Sequence, residues 1–396
     1  MTRPESPETS ELHADTVLVH SGDGPDAVNG SVAPVLVRSK TYRQPCFGED
    51  AAWKYSRGTN PTRAALEAKL ADIEGEGQAT VYGSGLAAIT ILLLTLESGD
   101  HVLFSREIYG GTYRLLDQVF NRFGLTFGFA DFSSEQEVQE KITPKTRYLF
   151  VETPSNPSLH VTDLQLAGDI AKATGIPLLV DGTFSPPVTT RAFDFGAETI
   201  VYSLSKYFAG HNDVIGGAIL TRNAELHTRL KFLQSSVGAI LSPDECYRVI
   251  QGLKTLHLRW ERTCFNALKL AEYLQGHPAI KRTLYPGLPT HPLHEVAARQ
   301  MSNGFGGVVA FETHCGDQGQ LRQFIESLQA RDTVIYGESL ASPETILSYP
   351  IQMSHRSLPA EDLAALEITD GFFRLSLGFE HAEDLIEDFR RSLALL

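Results

Sequence analysis

No apolar stretch in this 396-residue sequence outlasts the one from Ala87 to Leu96, and that run is too short to cross a bilayer as a helix. No membrane partner is therefore expected. Cysteine is scarce. Cys46, Cys246, Cys264 and Cys315 stand far apart with no CxxC pair among them, which argues against both a zinc site and a disulfide framework and makes free thiols the expectation. Basic clusters are missing too: the formal net charge is −14 and no run of Lys and Arg occurs, so a nucleic-acid backbone would find no matching surface. The opening segment, MTRPESPETSELHADT, has no apolar centre of the kind a secretory signal needs, which points to the cytoplasm. Internal repeats, low-complexity tracts and Gly- or Ser-rich linkers are also lacking, so any two domains should share an interface.

What is present is ordinary for a folded protein: 42% of residues are hydrophobic and 21% charged, well away from the composition of disordered chains. The length exceeds what one core usually supports, so two domains or one large α/β unit are expected. Residues 1–60 are rich in Pro, Ser, Gly and Asp with little periodicity, and read as an extended arm lying on something else. From Pro61 a helical pattern begins, followed by strand-like runs near residues 102, 147, 177 and 199 that alternate with helices and imply a mainly parallel sheet. A Leu- and Arg-rich helical stretch occupies about 245–275. Beyond it GGVVAFET and FFRLSLGF look like strands flanked by helices. The expected organisation is an arm (1–60), a large domain (61–256) and a smaller C-terminal α/β domain (257–396).

Two residues point to chemistry. The strand-like IPLLVD ends at Asp181 and TIVYSLS ends just before Lys206, so both side chains would emerge at carboxyl ends of parallel strands, where open α/β sheets bind ligands. A lysine there is expensive to bury charged, yet as a neutral amine it attacks an aldehyde and holds it as a Schiff base. The bland alternative is a surface lysine. Ser203 and Ser205 flank Lys206, and VYGSGLAAI places Ser84, Gly85 and Leu86 where a loop enters a helix, offering N–H groups and dipole to a phosphate. Asp181 is either a turn former or a partner that keeps a pyridine nitrogen protonated, making the ring an electron sink. Gly83 and Gly85 weakly mimic a dinucleotide fingerprint, but the third glycine is missing. His291 and His294 sit in a Pro-rich turn without acidic or Cys partners, so no metal is expected. For His211 a local hydrogen bond holding the loop is the expectation, with no part in acid–base work.

In order along the chain, YSRGTNPTRAALE (55–67), YGGTYR (109–114), ETPSNP (152–157), VDGTF (180–184), SLSKYFAGHNDVIGG (203–217), QGLKTLHLR (251–259), YPGLPTHPLH (285–294), GFGG (304–307), ESL (338–340), YPIQMSH (349–355) and FRLSLGFE (373–380) resemble the fold-type I pyridoxal-phosphate (PLP) enzymes of Cys/Met metabolism. The resemblance implies a PLP-binding large domain and a homotetramer, a dimer of catalytic dimers. It implies that Tyr55 and Arg57 reach the cofactor phosphate of a neighbouring subunit, that Gly85 and Leu86 give it N–H groups, and that Ser203 and Ser205 join them. It further implies that Tyr109 stacks on the ring, Asp181 pairs with the ring nitrogen with Thr183 close by, and Asn156 meets the ring hydroxyl with Glu152 behind it. Lys206 is then the Schiff-base lysine and proton shuttle, and Arg374 makes the forked contact to a substrate α-carboxylate with Ser339 and Leu340 beside it.

Within that family the reading favours γ-elimination or γ-replacement through a vinylglycine-type intermediate, on activated homoserine or a cystathionine-like thioether. Glu338 resembles the glutamate of cystathionine γ-synthases and γ-lyases. Gly111 matches the synthase-like YGGT form, and Arg114 resembles the synthases' arginine for the distal end of the substrate. The alternatives are a γ-lyase for a non-sulfur substrate, a β-lyase or methionine γ-lyase and, remotely, a non-catalytic PLP-binding subunit. Departures from the pattern are Lys54, where an acidic residue is common; SLASPET around Leu340, with Pro343 in a substrate-facing loop; Gly182 in place of the asparagine of VDNTF; and Gln251 in place of an arginine.

Overall fold

The computed structural model describes residues 12–22, 30–49, 51–354, 356 and 360–396. Parts of the expected arm (1–11, 23–29 and 50) and the last residue of the 349–355 segment lie outside the described residues.

Among the described residues, twelve strands form two sheets. The larger sheet contains β1 (Gln78–Tyr82), β2 (His101–Ser105), β3 (Thr126–Ala130), β4 (Thr146–Glu152), β5 (Leu178–Asp181), β6 (Thr199–Ser203) and β7 (Gly217–Thr221), in the order β1-β7-β6-β5-β4-β2-β3. Pairings from β3 through β6 are parallel, and β7 runs antiparallel between β6 and β1. The smaller sheet joins β8 (Ile280–Leu284), β9 (Val308–Thr313), β10 (Val334–Tyr336), β11 (Thr345–Ser348) and β12 (Phe372–Ser376), in the order β10-β11-β12-β9-β8. This is the fold-type I arrangement anticipated from the sequence: a large, mainly parallel sheet followed by a smaller α/β unit.

The large sheet is covered on both faces, which is why β2, β5 and β6 read as continuous apolar runs rather than alternating ones. On one face Val102, Phe104, Phe150, Val201 and Ile219 pack with Ile89, Leu92 and Leu93 of the helix Gly85–Leu93. Leu103, Leu149, Val151, Val180 and Ile200 meet Leu66, Leu70 and the 164–171 helix segment on the other. Each fully buried Leu or Phe stabilises the fold by roughly 1.5–3 kcal/mol. Most of the apolar run from Ala87 to Leu96 thus belongs to a core helix that ends at Leu93, and among the described residues no helix is long and apolar enough to span a membrane. In the smaller sheet Phe373 stacks against Phe311 with ring centroids 5.4 Å apart and against Tyr349 at 5.1 Å.

Two sequence expectations need correction. The arm is not extended throughout: Ala14–His20 is a helix with Val17 and Leu18 buried, too short a segment to show periodicity. The helical stretch near 245–275 is two helices, Pro243–Leu253 and Leu256–Gln275. Strands β1, β3, β7, β8, β10 and β11 were not anticipated.

Candidate active site

Parallel strands β4, β5 and β6 end side by side at Glu152, Asp181 and Ser203, and the site forms around these carboxyl ends. Lys206 lies three residues beyond β6, in a turn closed by the Gly210 N–H donating to the Lys206 carbonyl at 2.8 Å. Its Nζ donates to Ser339 Oγ at 2.9 Å. Burial lowers the Lys206 pKa to about 8, helped by the Arg374 cation and opposed by the Glu338 carboxylate. A substantial neutral-amine fraction near physiological pH is what attack on an aldehyde requires.

Ser84 is the N-cap of the helix Gly85–Leu93, and its hydroxyl accepts from Ala87 N–H at 2.9 Å. Gly85 and Leu86 occupy the next two positions, where a helix supplies no acceptor for the N–H. The backbone around them leaves no spare volume: a Cβ at Gly217 would stand 2.2 Å from the Ser84 carbonyl oxygen, and one at Gly85 would stand 3.2 Å from Ser203 Cβ. Open N–H groups, a helix dipole and a glycine-lined wall make an anion cradle. The Ser205 hydroxyl donates to Gly216 O at 3.2 Å and accepts from Gly216 N–H at 3.0 Å, closing the loop behind the cradle.

Asp181 is buried and accepts from Thr183 N–H at 3.0 Å, while the Thr183 hydroxyl accepts from Ser203 N–H at 2.9 Å. Burial raises the Asp181 pKa above the usual carboxylate range. Glu152 accepts from the N–H groups of Tyr109 at 2.6 Å and Asn156 at 3.1 Å, so one carboxylate holds two site loops. Sequence reading gave Glu107 no role, yet its carboxylate accepts from Ser155 Oγ at 2.6 Å and from Ser158 Oγ, tying the turn that carries Asn156 to the loop that carries Tyr109.

Arg374, in β12, is only 4% exposed. Its Nη1 donates to Asn156 Oδ1 at 2.9 Å, and its Nη2 donates to the Ser339 carbonyl at 2.7 Å and Ser348 Oγ at 2.9 Å; Nε has no protein partner among the described residues. Burial lowers its pKa to about 10, leaving it charged at neutral pH and short of a counter-anion. Ser339 holds a positive φ of 90° and Ala341 one of 62°, strain that persists only where surrounding contacts over-determine the backbone.

Tyr109 precedes the helix Gly110–Gln118, and its ring lies over Gly111, where a Cβ would stand 2.4 Å from Tyr109 Cε1. Burial and the Glu338 carboxylate raise the Tyr109 phenol, while Arg114 and Arg374 lower it. Glu338 and Arg114 are themselves exposed.

Some predicted residues do not converge within one chain. Tyr55 and Arg57 are exposed, with the Arg57 guanidinium 5.8 Å from the Tyr55 ring centroid and its Cδ 4.0 Å from where a Gly238 Cβ would be. Leu340 is buried. The Pro343 carbonyl accepts from Phe379 N–H at 2.7 Å and would lie 2.1 Å from a Cβ at Gly378, so the 340–344 segment packs on the chain after β12. Lys54 is exposed. Gly182 makes room for the Tyr202 ring, which a Cβ would approach to 2.8 Å; the Tyr202 hydroxyl donates to buried Glu74. Burial pushes the Glu74 pKa up to about 7. His211 Nδ1 is 2.6 Å from Ala209 O, the local contact expected of it. His294 Nδ1 is 2.8 Å from Pro286 O, and His291 Nδ1 accepts from Leu293 N–H at 3.2 Å.

A buried lysine with a lowered pKa, a helix start with open N–H groups, a buried carboxylate at a strand end and a buried arginine with an open donor are the features that a phosphorylated pyridine aldehyde and an amino-acid carboxylate would need. The model of the Cys/Met metabolism PLP-dependent enzyme family matches residues 15–394. A cystathionine γ-lyase of Bacillus subtilis is 41% identical over 96% of this chain and 98% of the relative. A cystathionine β-lyase of Coxiella burnetii is also 41% identical, over 96% and 98%. The solved cystathionine γ-synthase of Xanthomonas oryzae pv. oryzae in complex with aminoacrylate and cysteine superposes with a TM-score of 0.93 at 35% identity, covering 97% of this chain and 98% of that one.

Proposed function

Because the chain belongs to the Cys/Met metabolism PLP-dependent enzyme family, with pyridoxal phosphate as its cofactor, we propose that it catalyses γ-elimination or γ-replacement on a γ-substituted amino acid, either activated homoserine or a cystathionine-like thioether. When bound, the cofactor supplies an electron sink that stabilises negative charge at the substrate α-carbon. Gly85 and Leu86 N–H groups, with Ser84, Ser203 and Ser205, would hold its phosphate. Asp181, positioned by Thr183, would keep the ring nitrogen protonated; Asn156 would contact the ring hydroxyl; Tyr109 would cover the ring face. Arg374 would take the substrate carboxylate in exchange for contacts it now makes with Ser339 and Ser348, next to Leu340. Lys206, once released, would accept the α-proton at Nζ and return it further along the substrate, with Ser339 Oγ guiding the amine.

The observation that supports γ-chemistry is Glu338. Its carboxylate, exposed and next in sequence to Ser339, acts electrostatically on Lys206, Arg374 and Tyr109 together, and Arg114 acts on the same tyrosine. The similarity to β-lyases as well as γ-enzymes keeps β-elimination as the second reading.

Exposed Tyr55 and Arg57 would complete the phosphate site of a neighbouring subunit, in a homotetramer built from two catalytic dimers. An arm (1–60), a PLP-binding large domain (61–256) and a small domain (257–396) would be the units of that assembly, working in the cytoplasm. The deciding experiment is product analysis of PLP-loaded enzyme with O-acyl- and O-phosphohomoserine, cystathionine and methionine, each with and without cysteine. Formation of 2-oxobutanoate that cysteine diverts into cystathionine supports γ-replacement. Pyruvate and homocysteine from cystathionine would overturn the γ reading in favour of β-elimination.

A further inference from the structure

Arg259 lies on the helix Leu256–Gln275 and is 7% exposed, yet among the described residues it makes no ion pair. Its fork closes on main-chain carbonyls instead. Nη1 donates to Tyr207 O at 2.7 Å, Nη2 to Gly252 O at 2.7 Å and more weakly to Phe208 O at 3.5 Å, and Nε to Thr255 Oγ1 at 3.1 Å. Tyr207 and Phe208 directly follow Lys206. The guanidinium also occupies the space over Gly210, whose φ is 69° and whose Cβ would stand 1.9 Å from Nη1. From below, Gly252 brings its helix so close that a Cβ there would meet Ala209 O at 2.4 Å.

We propose that Arg259 is a positioning residue for Lys206, clamping the 206–210 turn to the helix Pro243–Leu253 and thereby fixing where the lysine amine stands relative to Ser339 and Asp181. The inference rests on the reading of Lys206 as the cofactor-bearing lysine. Three features go beyond ordinary core packing. A buried cation with no counter-charge is costly, and burial lowers its pKa to about 10. The donors satisfy carbonyls of the turn and of the helix end beside it at once, which a planar fork does and a point charge does not. The turn has a second tie on the same stretch, the Tyr207 hydroxyl accepting from Gly307 N–H at 3.0 Å, so backbone rotation at Lys206 is opposed from two directions.

The test uses PLP-loaded Arg259→Lys and Arg259→Gln, with Thr255→Val as a milder variant that removes the Nε contact, together with the weaker Thr255 Oγ1 bond to Gly252 O at 3.3 Å, in case Arg259→Gln fails to fold. Lysine keeps the charge but reaches one carbonyl. The absorbance of the Lys206-linked cofactor is titrated against pH, thermal midpoints are recorded, and borohydride trapping at Lys206 is quantified. In Arg259→Lys the spectroscopic midpoint is expected to shift by about one pH unit, the equivalent of a tenfold change in equilibrium, with kcat falling and KM little changed. Thr255→Val should shift it in the same direction and less. Variants that titrate like the parent while melting at lower temperature would reduce Arg259 to a structural role and overturn the inference alone. A parent enzyme that is not trapped at Lys206 would remove the reading beneath it as well.

Discussion

Glu152 and Asp181 are register partners across the β4–β5 pair, two buried carboxyl groups side by side at adjacent strand ends. Burial raises both above the usual carboxylate range, and the Asp181 charge raises Glu152 further. Glu152 collects two N–H donors from the loops it ties down, whereas Asp181 accepts one from Thr183. A protonated ring nitrogen held at Asp181 would supply the counter-charge that this pair lacks.

The first prediction follows from that pair. Folded-state pKa values above the unfolded ones mean that the native protein binds more protons, so stability falls as pH rises from the ordinary carboxylate value near about 4 through the raised ones. Chemical denaturation of cofactor-free protein between pH 4 and 8 should show this decline, and Glu152→Gln should flatten it. An identical slope in both proteins would mean that Glu152 is ionised at no extra cost.

Lys206 governs the second. Its folded pKa near 8 lies below the usual lysine value, so the native amine holds fewer protons and the rate of PLP uptake should climb with pH and level off above about 8. Lys206→Ala should lose borohydride trapping, and turnover should fall by about 1,000-fold or more, as when a positioned acid–base group is removed. Stopped-flow uptake and single-turnover assays read both outcomes.

Arg57 has an exposed guanidinium and belongs to the proposed neighbouring-subunit phosphate site. Arg57→Ala should raise the Kd for PLP by about 10- to 100-fold, the range expected when a charge-assisted contact of 1.5–3 kcal/mol is lost. Equilibrium dialysis decides it, and unchanged affinity would place the arm elsewhere.

Gly111 lies under the Tyr109 ring. Gly111→Cys should push that ring off its present position, weaken cofactor retention and leave the fold intact, because Gly111 lies in the first turn of a helix, where a Cβ meets only the Tyr109 ring. Cofactor loss on gel filtration, compared with the far-UV spectrum, separates the two effects.

Much of this site was legible because strand ends and helix starts announce themselves. A buried run ending in Asp181, another ending before Lys206, and Ser84-Gly85 at a helix entrance need only local pattern to be read. Long-range pairings were not legible. The Arg259 fork, the Glu107 tie and the Ser105–Glu152 contact at 3.2 Å join residues separated by tens of positions, and no periodicity marks them. The helix cap made by Ser84 and the loop closure made by Ser205 are likewise partnerships that the expected phosphate site did not include. The six short strands were missed for the same reason, since each is defined by its neighbours more than by its own residues.

Tyr202, Gly182 and Glu74 carry a consequence for how such a sequence changes over time. The Tyr202 ring fills the volume that a side chain at position 182 would need, and its hydroxyl is committed to a carboxyl group that burial leaves half-protonated near neutral pH. Substitutions at 182 and 202 are therefore expected to be coupled: a side chain at 182 has to displace the Tyr202 ring, and displacing that ring disturbs the hydrogen bond to Glu74. A double-mutant cycle over the two positions reads that coupling, which a library varying position 182 alone would record as a property of the glycine.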